Sequence, residues 1–144
     1  IDINVKGLLY VSKAVLPTML LSQSGHIINI GSTAGKEVYP KGNVYCASKY
    51  AVDAINQGMR IDLNGKGIKV GAINPGMVAT EFSEVRFKGD TQKATKIYQG
   101  FTPLQAKDIA EIIWFTVTRP AHVNIADLTV MALDQASSTI VNKK

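Results

Sequence analysis

The sequence contains very few of the residues from which metal centres and covalent cross-links are built. Cys46 is the single cysteine, and His26 and His122 are the two histidines. One cysteine excludes a disulfide within the chain and a cysteine-built metal site. His26 falls inside a predicted strand and His122 in a predicted loop, and neither has a second ligand at metal spacing, so we expect no metal. We interpret Cys46 as a small residue required beside Tyr45.

Long apolar runs are also scarce. The longest one, near residues 109–117, is interrupted by Glu111 and is far shorter than the ~20 residues that span a bilayer. The chain begins with no basic-then-apolar signal segment. We therefore expect a cytoplasmic protein with no membrane partner. A length of 144 residues, 46% hydrophobic and 19% charged, predicts one compact globular unit.

The net charge of +5 is not concentrated in any basic cluster. Most lysines stand singly between the predicted elements, without a long run and without interleaved aromatic residues, which argues against a nucleic-acid partner. An excess of basic over acidic residues does suit the binding of small anionic molecules, such as a dinucleotide phosphate and a carboxylate substrate.

No glycine-rich dinucleotide fingerprint lies between a strand and a helix. Gly65, Gly67 and Gly71 are closely spaced, but they precede or enter their strand instead of following it. This order is wrong for cradling a pyrophosphate at a helix N-terminus.

What the sequence does contain is an alternation of helical and strand patterns. Apolar residues at helical spacing predict helices over residues 1–21 (bent at Pro17), 44–63 and 109–118, the last entered from 102–103 or 106–107. Buried strands are predicted over 26–30, 68–74 and 127–131, and a short polar helix over 91–99. Residues 135–144 carry no prediction. A strand, a helix and a strand in this order indicate a parallel crossover, whose ligands bind at the carboxyl ends of the strands.

Three polar residues fall where such a sheet could use them. Ser32 ends the first strand, while Tyr45 and Lys49 are four residues apart and so share one face of a helix. A phenol titrates near pH 10, and a neighbouring ammonium stabilises the phenolate and lowers its pKa toward the range of a general acid/base. A Tyr-x-x-x-Lys pair alone is also typical of a solvated helix face. The surrounding sequence must therefore decide between a catalytic pair and a solvated face.

That context resembles the short-chain dehydrogenase/reductase family. Asn4 stands in Asp-x-Asn-x-x-Gly, Ser32 precedes Tyr45 by thirteen residues, and Asn74-Pro75-Gly76 closes the next strand. The resemblance implies a Rossmann-type doubly wound parallel sheet. Residues 1–144 would be the carboxyl-terminal half of that single domain, without the phosphate-binding half.

The resemblance also implies an activity, a cofactor and an assembly. It is closest, through YPKGNVYCASK and TEFSEVRFKGD, to NADP-dependent dehydrogenases of 3-hydroxy acids that also oxidise serine and allo-threonine. By the family pattern NADP is the cofactor and the enzyme is a homotetramer. The implied catalytic residues are Asn4, Ser32, Tyr45 and Lys49. The implied cofactor-binding residues are Tyr45, Lys49, Pro75, Gly76, Val78 and Thr80.

Substrate contacts are expected from Ser32 and from Arg86. Residues 77–100 follow a strand's catalytic end and suit a lid, in which the Arg86 guanidinium could grip a carboxylate. The alternative is that Arg86 pairs with Glu81 or Glu84 on the surface. Two other functions stay open, a broad-specificity carbonyl reductase of the same family and a non-catalytic binding or scaffold subunit.

Overall fold

The computed structural model describes residues 1–81 and 96–144. A π-helical turn, Asp2–Gly7, runs directly into the first α-helix, and a short 3₁₀ turn, Thr33–Gly35, follows the first strand. Three α-helices lie entirely within the described residues, namely α1 (Leu8–Ser22), α2 (Asn43–Asp62) and α3 (Ala106–Val117). The strands of the same residues are β1 (Gly25–Ile30), β2 (Ile68–Pro75), β3 (Val78–Ala79), β4 (Leu104–Gln105) and β5 (Asp127–Val130).

The main sheet of the described residues is parallel, with the strand order β1-β2-β5. Gly25 is opposite Ile68 and Ile30 is opposite Ile73, while Ala72 is opposite Asp127 on the other side of β2. Because β2 is paired on both edges and covered by helices, nearly all of its residues are buried. This arrangement confirms the predicted α/β fold with a parallel sheet. A second parallel pair, β3 with β4, lies beyond the end of β2.

The core lies between α1, α2 and the start of the sheet. Leu63, Ile68 and Val70 form its buried centre. Leu16 and Met19 of α1 pack against this centre together with Ile27 and Met59. The apolar stripe predicted for the first helix therefore does cover the sheet, and Pro17 lies inside α1.

The first helix is longer and more apolar than the search for uninterrupted apolar runs indicated. From Asp2 to Ser22 it has 21 residues and a hydropathy of 1.2, so by length and composition alone it could cross a membrane. Our search for uninterrupted apolar runs missed it because Lys6 and Lys13 divide the pattern. Only 6% of the 18-residue window is buried, so most of this helix is open to a partner surface.

Residues 135–144, for which the sequence predicted nothing, fold back on themselves. Gln135 and Val141 form an isolated antiparallel bridge. The Ala136 N–H donates to the Ile140 carbonyl at 2.9 Å, and the Asn142 N–H donates to the Asp134 carbonyl at 2.8 Å. This segment follows β5 and returns toward the end of the sheet that carries Ser32.

A charged cluster ties the loop after β1 to the neighbouring elements. The Lys36 ammonium donates to Asp53 of α2 at 2.8 Å and also to Asp127 at the start of β5. The other oxygen of Asp127 accepts from the Asn74 side chain. Burial alone would lower the pKa of Lys36, but the hydrogen bonds and negative charges of Asp127 and Asp53 outweigh burial and raise it. The loop is thus fixed to both α2 and β5.

Candidate active site

A cavity of about 700 Å³ opens at the carboxyl ends of β1 and β2. Its volume is in the range of small-molecule and cofactor sites. The cavity wall contains every catalytic and cofactor-binding residue that the sequence suggested, namely Asn4, Ser32, Tyr45, Lys49, Pro75, Gly76, Val78 and Thr80. Arg86 lies outside the described residues, and so do Glu84 and most of the expected lid.

Ser32 lies at the point where β1 ends and the 3₁₀ turn begins. Its Oγ caps this turn by accepting a hydrogen bond from the Ala34 N–H at 3.1 Å. Gly31, just before it, approaches β2 so closely that a Cβ there would lie 2.0 Å from Oδ1 of Asn74. The cap uses a lone pair of the serine oxygen, so the hydroxyl proton can be donated to an oxygen in the cavity.

Tyr45 and Lys49 stand in the first two turns of α2, and both are partly buried. The Lys49 ammonium donates to the Ile30 carbonyl at 3.0 Å, which holds its side chain against the end of β1. Burial lowers the pKa of Lys49 from its ordinary value of 10.5. A lowered pKa makes it easier for an ammonium to release a proton, which suits a group in a proton relay.

Asn4 reaches the site through a side chain that the sequence did not single out. The Asn4 Nδ2 donates to Ser48 Oγ at 3.0 Å, and Ser48 Oγ donates to the Tyr45 carbonyl at 2.7 Å. Ser48 is only 2% exposed. The wide π-helical turn Asp2–Gly7 places Asn4 here, and such turns are frequent at functional sites.

The turn after β2 forms another wall of the cavity. The Gly76 N–H donates to the Val130 carbonyl at 2.8 Å, and the next N–H, that of Met77, donates to Oε1 of Gln135 at 2.8 Å. A Cβ on Gly76 would lie 2.2 Å from the same Oε1. A Cβ at this position would therefore force the Gln135 carboxamide to shift.

Sequence reasoning missed several residues of the cavity wall, chiefly Thr33, Gln135 and Ser138. Ser138 Oγ donates to Thr33 Oγ1 at 3.0 Å across more than a hundred residues of sequence. No local pattern indicates such a contact. In the sequence, the only indication of Gln135 is a glutamine in a polar segment after the last predicted strand, and this is a weak signal.

The described residues contain no group of three or more His, Cys, Asp and Glu side chains that could hold a metal ion. In the same residues, Nε2 of His26 is buried without a hydrogen-bond partner. Burial, with the positive charge of Lys69 as the second cause, lowers the pKa of His26. Cys46, next to Tyr45, is fully buried.

Comparison with known proteins identifies the class. The family model described as short chain dehydrogenase matches residues 1–91. The chain belongs to the short-chain dehydrogenase family, as its motifs predicted.

Two groups of relatives are similar over nearly the whole chain. The chain is 50% identical over 137 residues to the NADP-dependent 3-hydroxy acid dehydrogenases of Salmonella typhi and Escherichia coli K12, covering 94% of this chain and 55% of each relative. It is 48% identical over 139 residues to sulfoacetaldehyde reductase 2 of Chromohalobacter salexigens, covering 96% of this chain and 55% of the relative. The chain therefore spans about half the length of these relatives.

Solved structures give a consistent picture. The closed form of a serine dehydrogenase complexed with NADP⁺ superposes with a TM-score of 0.94 at 48% identity, covering 100% of this chain and 58% of that one. The serine dehydrogenase from Escherichia coli gives a TM-score of 0.75 at 40% identity, covering 92% and 51%.

Proposed function

We propose that this chain carries the catalytic residues of an oxidoreductase that moves hydride between NADP(H) and the carbinol or carbonyl carbon of a small 3-hydroxy acid. The observation that carries the proposal is the meeting of Ser32, Tyr45, Lys49 and Asn4 at one cavity beyond the strand ends. The names of the relatives, 3-hydroxy acid dehydrogenase and serine dehydrogenase, support this substrate class.

The proposed mechanism assigns one task to each side chain. Ser32 donates a hydrogen bond to the substrate oxygen and orients it. Tyr45 gives its phenolic proton to that oxygen in reduction and removes it in oxidation. Lys49 stabilises the phenolate by its charge and binds the nicotinamide ribose, and Asn4 joins the relay that carries the proton to solvent. The nicotinamide, when bound, supplies or accepts the hydride.

The residues present fit such a cofactor. Pro75, Gly76, Val78 and Thr80 line the same cavity as Lys49. We propose that they contact the nicotinamide end. Gly76 has no side chain to obstruct close approach to its backbone at this wall, and a Cβ there would meet the Gln135 carboxamide. We further propose that residues 1–144 form the carboxyl-terminal part of one Rossmann-type domain, with the pyrophosphate bound by another part of the protein.

Arg86 remains the proposed contact for the substrate carboxylate. A guanidinium binds a carboxylate through two parallel hydrogen bonds, which an ammonium does less well. Sulfoacetaldehyde, named in a relative, is also a small carbonyl compound with an anionic group. We expect Arg86→Lys to raise KM for 3-hydroxy acids on the order of 10- to 100-fold while leaving uncharged alcohols nearly unaffected. Equal effects on both would mean that Arg86 does not bind the carboxylate.

The direct test uses the complete protein and follows NADPH by absorbance. Serine, allo-threonine and 3-hydroxypropionate are compared with 1-propanol as an uncharged control. The proposal expects NADP-dependent oxidation that strongly favours the acids. Equal activity on 1-propanol and the acids would favour the broad-specificity carbonyl reductase. No turnover with any of them, together with no binding of NADPH, would favour the non-catalytic scaffold and refute the proposal.

For the assembly and the location, we propose a cytoplasmic homotetramer. Exposed apolar side chains on the helices support self-association, because an apolar surface of this kind is usually covered by a partner. The same helices are the subject of the last prediction below.

A further inference from the structure

Residues 135–144 touch three separate walls of the cavity. Gln135 contacts the turn after β2, Ser138 contacts the turn after β1, and the end of the segment contacts residues 96–101. These contacts make the segment a strap across the cavity, and we use that name for residues 135–144 below.

Gln135 is the buried end of the strap. It is 4% exposed, and both ends of its carboxamide are used. Its Oε1 accepts from the Met77 N–H at 2.8 Å, and its Nε2 donates to the Ser137 carbonyl at 3.1 Å. One side chain thus joins the Gly76 turn to the strap itself through direct hydrogen bonds.

The rest of the strap fixes the opposite walls. Ser138 donates to Thr33 through its hydroxyl and to the Glu37 carboxylate through its N–H. At the far end, the Lys143 ammonium donates to the Ile97 carbonyl at 3.0 Å, and the Lys144 N–H donates to the Gly100 carbonyl at 2.8 Å. The strap therefore couples the position of the Gly76 turn to the positions of the two other walls.

We propose that Gln135 is a positioning residue for the cofactor, which acts by holding the Gly76 turn in its binding-competent conformation. This inference rests on the proposed function, since it assumes that the nicotinamide lies against that turn. Without Gln135, the Met77 N–H, which lies in a partly buried turn, loses its acceptor, and the turn relaxes to find another. If the competent conformation becomes a minor one, the apparent Kd for cofactor rises by the inverse of its population.

The test compares three variants of the complete protein. Gln135→Leu removes the acceptor at similar volume, and Gln135→Glu keeps an oxygen that accepts from Met77. Gln57→Leu, on the exposed face of α2, is the matched control because its side chain bonds only to Asp53 among the described residues. The readouts are the Kd for NADPH by fluorescence, KM and kcat, and amide hydrogen exchange over residues 76–79.

We expect Gln135→Leu to raise the Kd and the KM for NADP(H) on the order of 10-fold or more, with kcat at saturating cofactor changed less than about three-fold. Hydrogen exchange should accelerate over residues 76–79 while β2 stays protected. Gln135→Glu should recover much of the affinity, and Gln57→Leu should match the unsubstituted protein.

A purely structural role would give a different result. Gln135→Leu would then lower the thermal stability while the folded protein kept its Kd, and this outcome would overturn the inference. If the unsubstituted protein bound no NADPH, the proposed function would fail. If the unsubstituted protein bound NADPH but amide hydrogen exchange over residues 76–79 were unchanged in Gln135→Leu, the role of Gln135 would be refuted while the proposed function stood.

Discussion

At the scale of single residues, the chemistry depends most on the hydroxyl of Tyr45. We expect Tyr45→Phe to lower kcat by about 10² to 10⁴, since it removes the general acid/base and nothing else. The ring still packs in the cavity wall, so the affinity for NADPH should remain within a few fold. Steady-state kinetics and NADPH titration measure the two effects.

Tyr50→Phe is the matched control, because Tyr50 lies on the same helix and is 42% exposed. It should retain full activity. A Tyr45→Phe enzyme with near-normal kcat would show that the proton comes from another group.

Burial of Lys49 predicts a particular dependence of stability on pH. Its pKa is lowered in the folded protein, so between that value and 10.5 the unfolded state binds more protons than the folded state. Relative to Lys49→Met, the unsubstituted protein should therefore gain stability as the pH rises through this window. Urea unfolding of both proteins at about pH 8 and about pH 10 measures the difference. Lys13→Met, on the exposed face of α1, is the control for losing one surface charge.

The opposite sign would contradict the assignment. If the unsubstituted protein lost stability relative to Lys49→Met over this window, the ammonium would be stabilised in the folded state by a partner that outweighs burial. Lys49 would then be a poor carrier of protons at neutral pH.

Residue-level prediction from sequence succeeded where residues are close along the chain. Tyr45 and Lys49 lie one helical turn apart, and Ser32 follows directly from the end of β1, so periodicity was enough to place them at one edge of the sheet. Ser48 and Gln135 were missed because their partners, Asn4 and Met77, are 44 and 58 residues away. The family pattern, not the periodicity, brought Asn4 into the site.

At the scale of elements, apolar periodicity predicted the main helices and strands but not all of their first and last residues. The predicted strand over 68–74 extends by one residue to Pro75, and the predicted helix over 44–63 is Asn43–Asp62. The helix expected over 109–118, entered from 102–103 or 106–107, begins at Ala106, the second of these two points, where Gln105 and Asp108 form a capping box. The strap shows neither the helical nor the strand periodicity of apolar residues. Its conformation is therefore defined only by tertiary hydrogen bonds, which the sequence does not indicate.

The Lys36 cluster yields the prediction at this scale. Lys36→Met should lower the free energy of unfolding by roughly 1 to 3 kcal/mol, since it leaves the Asp53 and Asp127 carboxylates facing each other without their shared cation. The side chain of Asp53 is only 16% exposed, so solvent screens this pair weakly. Because the pKa of Lys36 is raised, its contribution is complete below 10.5 and is lost only as the pH rises through the folded value.

Lys6→Met provides a matched control for Lys36→Met. Lys6 pairs with Asp2 at 2.8 Å, but the two side chains are 59% and 83% exposed. A surface pair of this kind contributes about 0 to 1 kcal/mol. Equal losses in the two variants, measured by urea unfolding at neutral pH, would mean that the cluster does not fix the loop after Ser32.

At the scale of the whole molecule, the apolar surface of the helices needs an explanation. Tyr10 and Leu21 of α1 are 69% and 88% exposed, and Trp114 of α3 is 68% exposed. The π-helical turn and α1 together, Asp2–Ser22, also have the length and hydropathy of a membrane span. Yet Leu16 and Met19 on its other face pack into the core beside the sheet, which a helix surrounded by lipid would not do. The exposed face is therefore left for a partner surface, and we propose that another copy of the protein covers it.

The final prediction follows from this surface. The complete protein, without detergent, should show a mass by light scattering that is a multiple of the monomer, and four copies is the multiple that we propose. Tyr10→Lys should reduce this mass, because burying an unpaired ammonium in an apolar contact costs several kcal/mol. Asn64→Lys adds the same charge in the exposed turn after α2 and should leave the mass unchanged. A monomeric mass for the unsubstituted protein would exclude self-association. A protein that stays in solution only with detergent would instead make α1 a membrane-binding helix.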